Sequence, residues 1–258
     1  KFKNKKMMFV LPVLDAGGGA NVILDEAKCM LEMEVDVSIF NLQDNKSGFL
    51  KNYAHIKIPF IFGKIQDLPK LAVTFDAVVA SANYSVPWIE PLQNTSSKLI
   101  LGYYIQGFEA LMYEEGSEDY KQALASYTLI KGMKRFTKTQ WTRNEVLKHT
   151  GADSEVVGIS VNYDLFRPRD MLLMGAKPVT IVAMVRQGSH YRNPEMTLAI
   201  LQKIEKKYGK DVDIWLFGAD DVRNVVEEKY LAFNWRQLGK LTQVQVASMM
   251  SKADIFTD

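Results

Sequence analysis

Two arginines, Arg186 and Arg192, stand on a loop that leaves an apolar run and enters an amphipathic one. The apolar run is 179–185, Val-Thr-Ile-Val-Ala-Met-Val. The amphipathic segment opens at Asn193-Pro194-Glu195 and carries Met196, Leu198, Ile200, Leu201 and Ile204 at helical spacing. Each guanidinium is permanently charged and grips phosphate oxygens with two parallel bonds. Beside a helix N-terminus, whose free N–H groups also favour anions, such a pair makes a site for a diphosphate. Taken alone, the pair more commonly means two solvated surface arginines.

Other residues invite the same question. Gly17-Gly18-Gly19 removes side chains where a chain turns sharply or approaches a ligand. It follows an apolar run and opens a helical one, the right context for phosphate contact. It lacks the Gly-x-Gly-x-x-Gly spacing of dinucleotide sites and the Gly-Lys-Ser/Thr of a P-loop, so a structural turn and a binding loop both fit. Gln106 and Glu109 follow the apolar run 98–105 and are polar candidates at a strand end, with Glu109 also able to cap the next helix. Tyr103, Tyr104 and Phe108 read as core or rim aromatics. Between Lys131 and Lys148, six cations (Lys131, Lys134, Arg135, Lys138, Arg143, Lys148) face one acid, Glu145, with Phe136 and Trp141 among them. An anionic membrane surface would attract such a stretch, although a solvated face is its commoner meaning. Asp220-Asp221 is better explained by a helix N-terminus than by a metal. His55, His149 and His190 lack metal-ligand spacing, so they point to no metal, and no other residue of the sequence points to a cofactor.

The elements that must position these groups alternate strand and helix. Strands are expected at 7–14, 35–42, 56–62, 75–81, 98–105, 135–140 and 155–160, with Pro59 pushing the third toward a sheet edge. Helices are expected at 22–34 with Asn21 as its cap, at 110–131, and at 142–148 with Gly151 as its stop. The pattern restarts after the breaks Phe166-Arg-Pro168 and Gly175-Ala-Lys-Pro178: strands 179–185, 212–217, 235–241 and 253–258, helices 194–208, 222–230 and 242–252, the last capped by Thr242. Such alternation implies doubly wound parallel sheets, here in two domains, 1–170 and 171–258, facing a cleft. The second sheet ends on a fresh strand, so more chain is expected beyond Asp258.

Composition sets bounds. The 258 residues are 47% hydrophobic and 24% charged, ordinary for a globular protein. A net charge of +2 is too mild for bulk nucleic-acid binding, and nucleic acid is not an expected partner. Cys29 stands alone, so no internal disulfide is possible, which fits a reducing, cytoplasmic compartment. The apolar start is too short and wrongly flanked for a signal peptide.

In order along the chain, these residues resemble the family-4 retaining glycosyltransferases of GT-B architecture. Asp15-Ala-Gly-Gly-Gly-Ala20 resembles that family's amino-terminal glycine loop, and Val157 to Pro168 resembles its Gly-Val-Asp-x-x-x-Phe-x-Pro segment. Val185-Arg186 through Arg192-Asn193 resembles its Gly-Arg-x-x-x-x-x-Lys-Gly loop, with arginine in place of the usual lysine. Leu216-Phe-Gly218, Leu238-Gly-Lys240 and Ala253-Asp-Ile-Phe256 resemble later landmarks. The resemblance implies two Rossmann-like domains, the second incomplete in this chain. It implies a nucleoside-diphosphate sugar bound by Gly18, Gly19, Arg186, Gln187, Arg192 and Gly218. Arg186 and Arg192 would stabilise the departing diphosphate, making them the catalytic residues. A glycan or lipid-linked glycan acceptor would meet Asp15, Gln106 and Glu109. Gln106 stands where many members have histidine, so its role would be hydrogen bonding rather than proton transfer. The family's paired glutamates would follow Asp258. Tyr104 to Tyr113 resembles a rhamnosyltransferase subgroup of surface-polysaccharide synthesis, implying a dTDP-rhamnose donor and work at the inner face of the membrane. A non-catalytic two-lobed nucleotide- or sugar-binding module and a nucleotide-sugar epimerase are the competing readings.

Overall fold

The computed structural model describes residues 2–95, 98–167, 178–186 and 193–257. The chain forms two compact units, Lys1–Val161 and Asn162–Asp258. The boundary expected at residue 170 falls outside the described residues.

The first unit is built on seven parallel strands: β1 (Lys6–Val10), β2 (Asp36–Leu42), β3 (Phe60–Gly63), β4 (Ala77–Ala80), β5 (Ile100–Ile105), β6 (Lys134–Thr137) and β7 (Glu155–Val156). Their order is β3-β2-β1-β4-β5-β6-β7. Helices α1 (Gly18–Glu32), α2 (Lys46–Tyr53), α3 (Leu68–Ala72), α4 (Val86–Ile89), α5 (Glu118–Ser126) and α6 (Gln140–Thr150) lie between the strands in sequence. Strands covered on both faces must be apolar throughout, and Met8, Phe9 and Val10 of β1 are wholly buried. They feed different layers. Met8 and Val10 pack with Tyr103 and Tyr127, whereas Phe9 packs with Ile23, Phe49 and Tyr104. Pro12 stops β1 short of the expected end at residue 14, because proline cannot donate to a ladder. Pro59 precedes β3, which does lie at the sheet edge.

The second unit has four described parallel strands, β8 (Val179–Met184), β9 (Val212–Phe217), β10 (Arg236–Gly239) and β11 (Ile255–Thr257), in the order β10-β9-β8-β11. Its helices are α7 (Pro194–Tyr208), capped by Asn193, and α8 (Gln243–Met250), capped by Thr242 in a reciprocal box with Gln245. Both sheets share one device. Strand order runs outward from the first strand, then reverses to place a later strand on its other side, β4 beside β1 and β11 beside β8.

Three expected helices differ from the structure. The first helix starts at Gly18 rather than Val22, so Gly17 is the cap position and Asn21 instead accepts a hydrogen bond from the Tyr53 hydroxyl at 2.9 Å. The long helix expected at 110–131 is a short 3-10 turn (Glu109–Met112) followed by α5. Gly116, in the left-handed region at φ 82°, and Ser117, which caps α5, divide the two. The segment 222–230 forms two 3-10 turns, since Val222, Asn224, Val225 and Val226 are poor helix formers. Among the described residues, no helix is long and apolar enough to cross a membrane.

Phe49 shows how the first unit is held. It is fully buried, with Tyr53, Phe60 and Phe62 ring centroids at 4.9, 5.1 and 6.0 Å. Phe49→Ala leaves a cavity that this ring cluster cannot close. We expect a loss of roughly 3–5 kcal/mol in denaturant unfolding of the first unit.

Candidate functional site

In open parallel sheets, ligands bind beyond the carboxyl ends of the strands, where strand order reverses. In the second unit that point lies at the end of β8. Arg186 stands two residues past the strand and is exposed. Gly218, the first residue after β9, packs against it: a Cβ built on Gly218 would lie 2.8 Å from the Val185 carbonyl oxygen and 3.1 Å from Arg186 Cγ. With φ at 109°, the position strongly favours glycine on both counts. Its N–H donates to the Gly239 carbonyl at 2.9 Å, which joins two motif glycines across neighbouring strands. Two of the expected donor-binding residues, Arg186 and Gly218, are therefore adjacent. Gln187 and Arg192 lie outside the described residues.

In the first unit the reversal falls between β1 and β4. The loop after β1 is held from three sides. The Tyr53 hydroxyl accepts the Gly17 N–H at 3.2 Å, Asn41 Nδ2 donates to the Val13 carbonyl at 2.8 Å, and the Tyr84 hydroxyl donates to the Pro12 carbonyl at 3.3 Å. Gly18 and Gly19 form the exposed first turn of α1. Gln106, just past β5, donates through Nε2 to the Gly19 carbonyl at 3.2 Å, and a Cβ on Gly19 would meet its amide at 3.0 Å. The glycine is therefore closely fitted to Gln106. Asp15 is exposed on the same loop, and its charge helps raise the Tyr53 pKa, which burial raises most.

Lys138, which the sequence places only in the basic stretch and not at this strand edge, joins the site in the structure. It follows β6 and donates from Nζ to Gln106 Oε1 at 3.0 Å. Burial lowers its pKa, against the opposing pull of Glu26. Glu26 itself accepts from the Tyr104 hydroxyl at 2.7 Å and from the Ser160 hydroxyl. Charge alone puts Lys138 in a basic run; the signal that places it at this site is position, since it is the first residue after a strand in a parallel sheet.

Glu109 occupies a different place. It is only 5% exposed, beneath the loop that follows β4. Its Oε2 accepts the Asn83 N–H at 2.6 Å, its Oε1 accepts the Tyr103 hydroxyl at 2.9 Å, and its own N–H donates to the Tyr127 hydroxyl at 2.9 Å. Burial raises its pKa from 4.5 to about 7, and the two hydrogen bonds it accepts only partly offset this. Asn83 in turn hydrogen-bonds Tyr113, and Ser81 ties the same loop to the Val10 carbonyl at 2.7 Å. Glu109 thus holds the loop at the strand reversal from behind. It does not cap the turn that it begins.

The basic stretch does not form one solvated face. Arg135 donates to the Asp153 and Tyr127 carbonyls. Arg143 forks onto the Asp153 carboxylate at 2.7 and 2.9 Å, a contact that lowers the Asp153 pKa to about 2. Lys131, Lys134 and Lys148 remain exposed. Asp221 caps a short turn and pairs with Arg223, while Asp220 pairs with Lys240 at 2.9 Å.

No protein-family model matches the chain, and no curated relative is significantly similar to it. Solved structures do share its fold. Sucrose-phosphate synthase from Thermosynechococcus elongatus superposes with a TM-score of 0.72 at 13% identity, over 98% of this chain and 75% of that one. A variant of S. aureus TarM, in complex with fondaparinux, alpha-GlcNAc-glycerol and UDP, gives 0.64 at 10% identity, over 97% and 85%. UDP-GlcNAc 2-epimerase from Neisseria meningitidis, bound to UDP-GlcNAc, gives 0.59 at 13% identity, over 97% and 76%. The chain therefore has the GT-B type of fold, with two Rossmann-like parallel α/β units.

The buried carboxyl of Glu109 makes stability depend on pH. Between 4.5 and about 7 the folded protein holds a proton that the unfolded chain has released. That contribution is complete below the unfolded value and is lost as pH rises through about 7, by roughly 3 kcal/mol. We expect the first unit's unfolding midpoint to fall between about pH 5 and pH 8. Glu109→Gln should flatten this profile, its oxygen taking the Asn83 N–H and its amide donating to the Tyr103 oxygen. A wild-type slope that survives in Glu109→Gln contradicts the assignment.

Proposed function

We propose that this chain belongs to a glycosyltransferase that moves a sugar from a nucleoside-diphosphate donor to a glycan or lipid-linked glycan, with retention at the anomeric carbon. The observation that carries this reading is Arg186, exposed at the strand reversal of the second unit with Gly218 fitted against its stem. Heterolysis of the glycosidic bond puts negative charge on the departing diphosphate. A guanidinium held at that position stabilises the charge as it develops. Arg192 would supply the second guanidinium and Gln187 a neutral donor beside it. This chemistry requires neither a metal nor an organic cofactor.

The acceptor would lie against the first unit, at Asp15 and Gln106, with Gly18 and Gly19 beside Gln106 letting backbone amides approach the donor phosphate or the acceptor. Glu109 would act there indirectly, by fixing the loop that carries Asn83 and Tyr84. We extend the reading to a dTDP-rhamnose donor and surface-polysaccharide synthesis, on the resemblance of residues 104–113. Tyr104, Ile105, Phe108, Glu109 and Ala110 of that stretch are buried, which leaves Gln106, Gly107, Leu111, Met112 and Tyr113 as the residues able to touch a substrate there. A lipid-linked acceptor would bring a cytoplasmic enzyme to the inner membrane face, where Lys131, Lys134 and Lys148 are available for anionic lipid.

The test is calorimetric titration of the full-length gene product with UDP, dTDP and GDP. One of these should bind, and Arg186→Ala should weaken it at least about tenfold, the scale of one charge-assisted hydrogen bond. Affinity unchanged in Arg186→Ala would remove the support for the donor site.

A further inference from the structure

Strands β5 and β6 are paired so that Ile105 lies opposite Thr137. The next residues, Gln106 and Lys138, therefore leave the sheet side by side at its carboxyl edge. Thr137 is fully buried and donates to the Ile105 carbonyl at 2.8 Å, which fixes the point where Lys138 departs. From there the lysine folds over the Tyr104 ring, with Nζ 5.8 Å from the centroid, and reaches Gln106 Oε1. The other end of the same amide is fixed to Gly19. The lysine is half-buried by this arrangement.

An ammonium has three protons to donate and is costly to desolvate without a counter-charge. Lys138 spends one proton on a neutral amide. Among the described residues no carboxylate comes within ion-pair distance of it: the salt bridges of this region join Arg143 to Asp153 and His149 to Glu145. Glu26 acts on it only at longer range and is already bonded to Tyr104 and Ser160. A merely structural tether for Gln106 would need a hydrogen-bond donor, and a neutral one would serve without the desolvation of a cation. The charge itself is what the fold retains, at the edge of the sheet where substrate is expected.

We propose that Lys138 is an oxyanion-binding residue, whose ammonium, oriented by Gln106, takes a phosphate oxygen of the substrate at the carboxyl edge of the first unit. The inference rests on the transferase reading only for the source of that phosphate. It is either the donor's diphosphate or a phosphate carried by the acceptor. Gln106 is then a positioning residue as well as a hydrogen-bonding one, since its two ends align the lysine with the glycine turn.

The probes are UDP, dTDP and GDP for the donor, with glycerol phosphate for a phosphorylated acceptor, titrated into the full-length protein by calorimetry. Lys138→Met should lose at least about tenfold in affinity for one probe class, and Lys138→Arg should keep most of it. Thermal unfolding checks that the variants are folded, and Lys138→Gln replaces Lys138→Met if the latter is not. Because burial lowers the ammonium's pKa, wild-type binding should also weaken at a lower alkaline pH than an ordinary lysine would give. Loss confined to nucleotides assigns the phosphate to the donor, and loss confined to glycerol phosphate assigns it to the acceptor. Binding of every probe unchanged in a folded Lys138→Met overturns the proposal, as does a wild type that binds none of them. A nucleotide affinity sensitive to Arg186→Ala, with neither nucleotide nor glycerol phosphate binding sensitive to Lys138→Met, would leave the transferase reading standing and remove this one. Glycerol phosphate binding that depends on Lys138, with no nucleotide bound at all, would do the reverse.

Discussion

Most of the described candidate groups gather around one topological constraint, the reversal of strand order beside the first strand of each parallel sheet. Parallel strands all end at the same edge, and crossovers on either side of a reversal leave their loops diverging there. In the first unit the loops after β1 and β4 meet at that point, joined by the Ser81 and Tyr84 hydrogen bonds to the β1 end. In the second, the end of β8 lies between β9 and β11, with Gly218 packed against Val185 and Arg186. Buried apolar strands supply the rigidity, so polar residues one or two positions past each strand end are held without elements of their own.

Two partly or wholly desolvated ionisable groups flank the first of these points, and burial drives both toward neutrality. Glu109 answers by holding its proton to about pH 7 while it accepts from Asn83 and Tyr103. It serves as a rigid internal brace. Lys138 is less buried and keeps access to solvent, with a neutral amide as its only close hydrogen-bond partner among the described residues. One group is sealed in and satisfied, and the other is open and under-satisfied. That contrast separates a residue that supports a site from one placed to meet a ligand.

Much of the fold was legible because its signals are local. Apolar runs such as 100–105 and 179–184 read as buried parallel strands, Pro59 marked an edge, Gly151 stopped α6 in a left-handed conformation, and Thr242 capped α8. Errors arose where a local signal had two meanings. Three glycines read as a turn, yet two of them begin α1. The stretch 110–131 looked continuous because Gly116 and Ser117 are brief interruptions, and 222–230 kept an apolar pattern without the propensity to stay helical. In the site, charge in sequence does not reveal direction. Arg135, Lys138 and Arg143 belong to one basic run, but a strand, a strand end and a helix point them at a carbonyl, an amide and a carboxylate. Glu109 reads in sequence as a polar strand-end candidate or a helix cap, because its partners Asn83 and Tyr127 stand 26 and 18 residues away.

The fold is shared by transferases and by epimerases that act on the nucleotide sugar itself, so the decisive observation is the fate of the sugar. The measurement is incubation of the full-length gene product with isotopically labelled nucleotide sugars, with and without a glycan acceptor, followed by product analysis. The structure-based reading predicts nucleoside diphosphate release that depends on acceptor, and a new glycoside of unchanged anomeric configuration. An isomerised nucleotide sugar formed without acceptor, or no conversion of any donor, would contradict it.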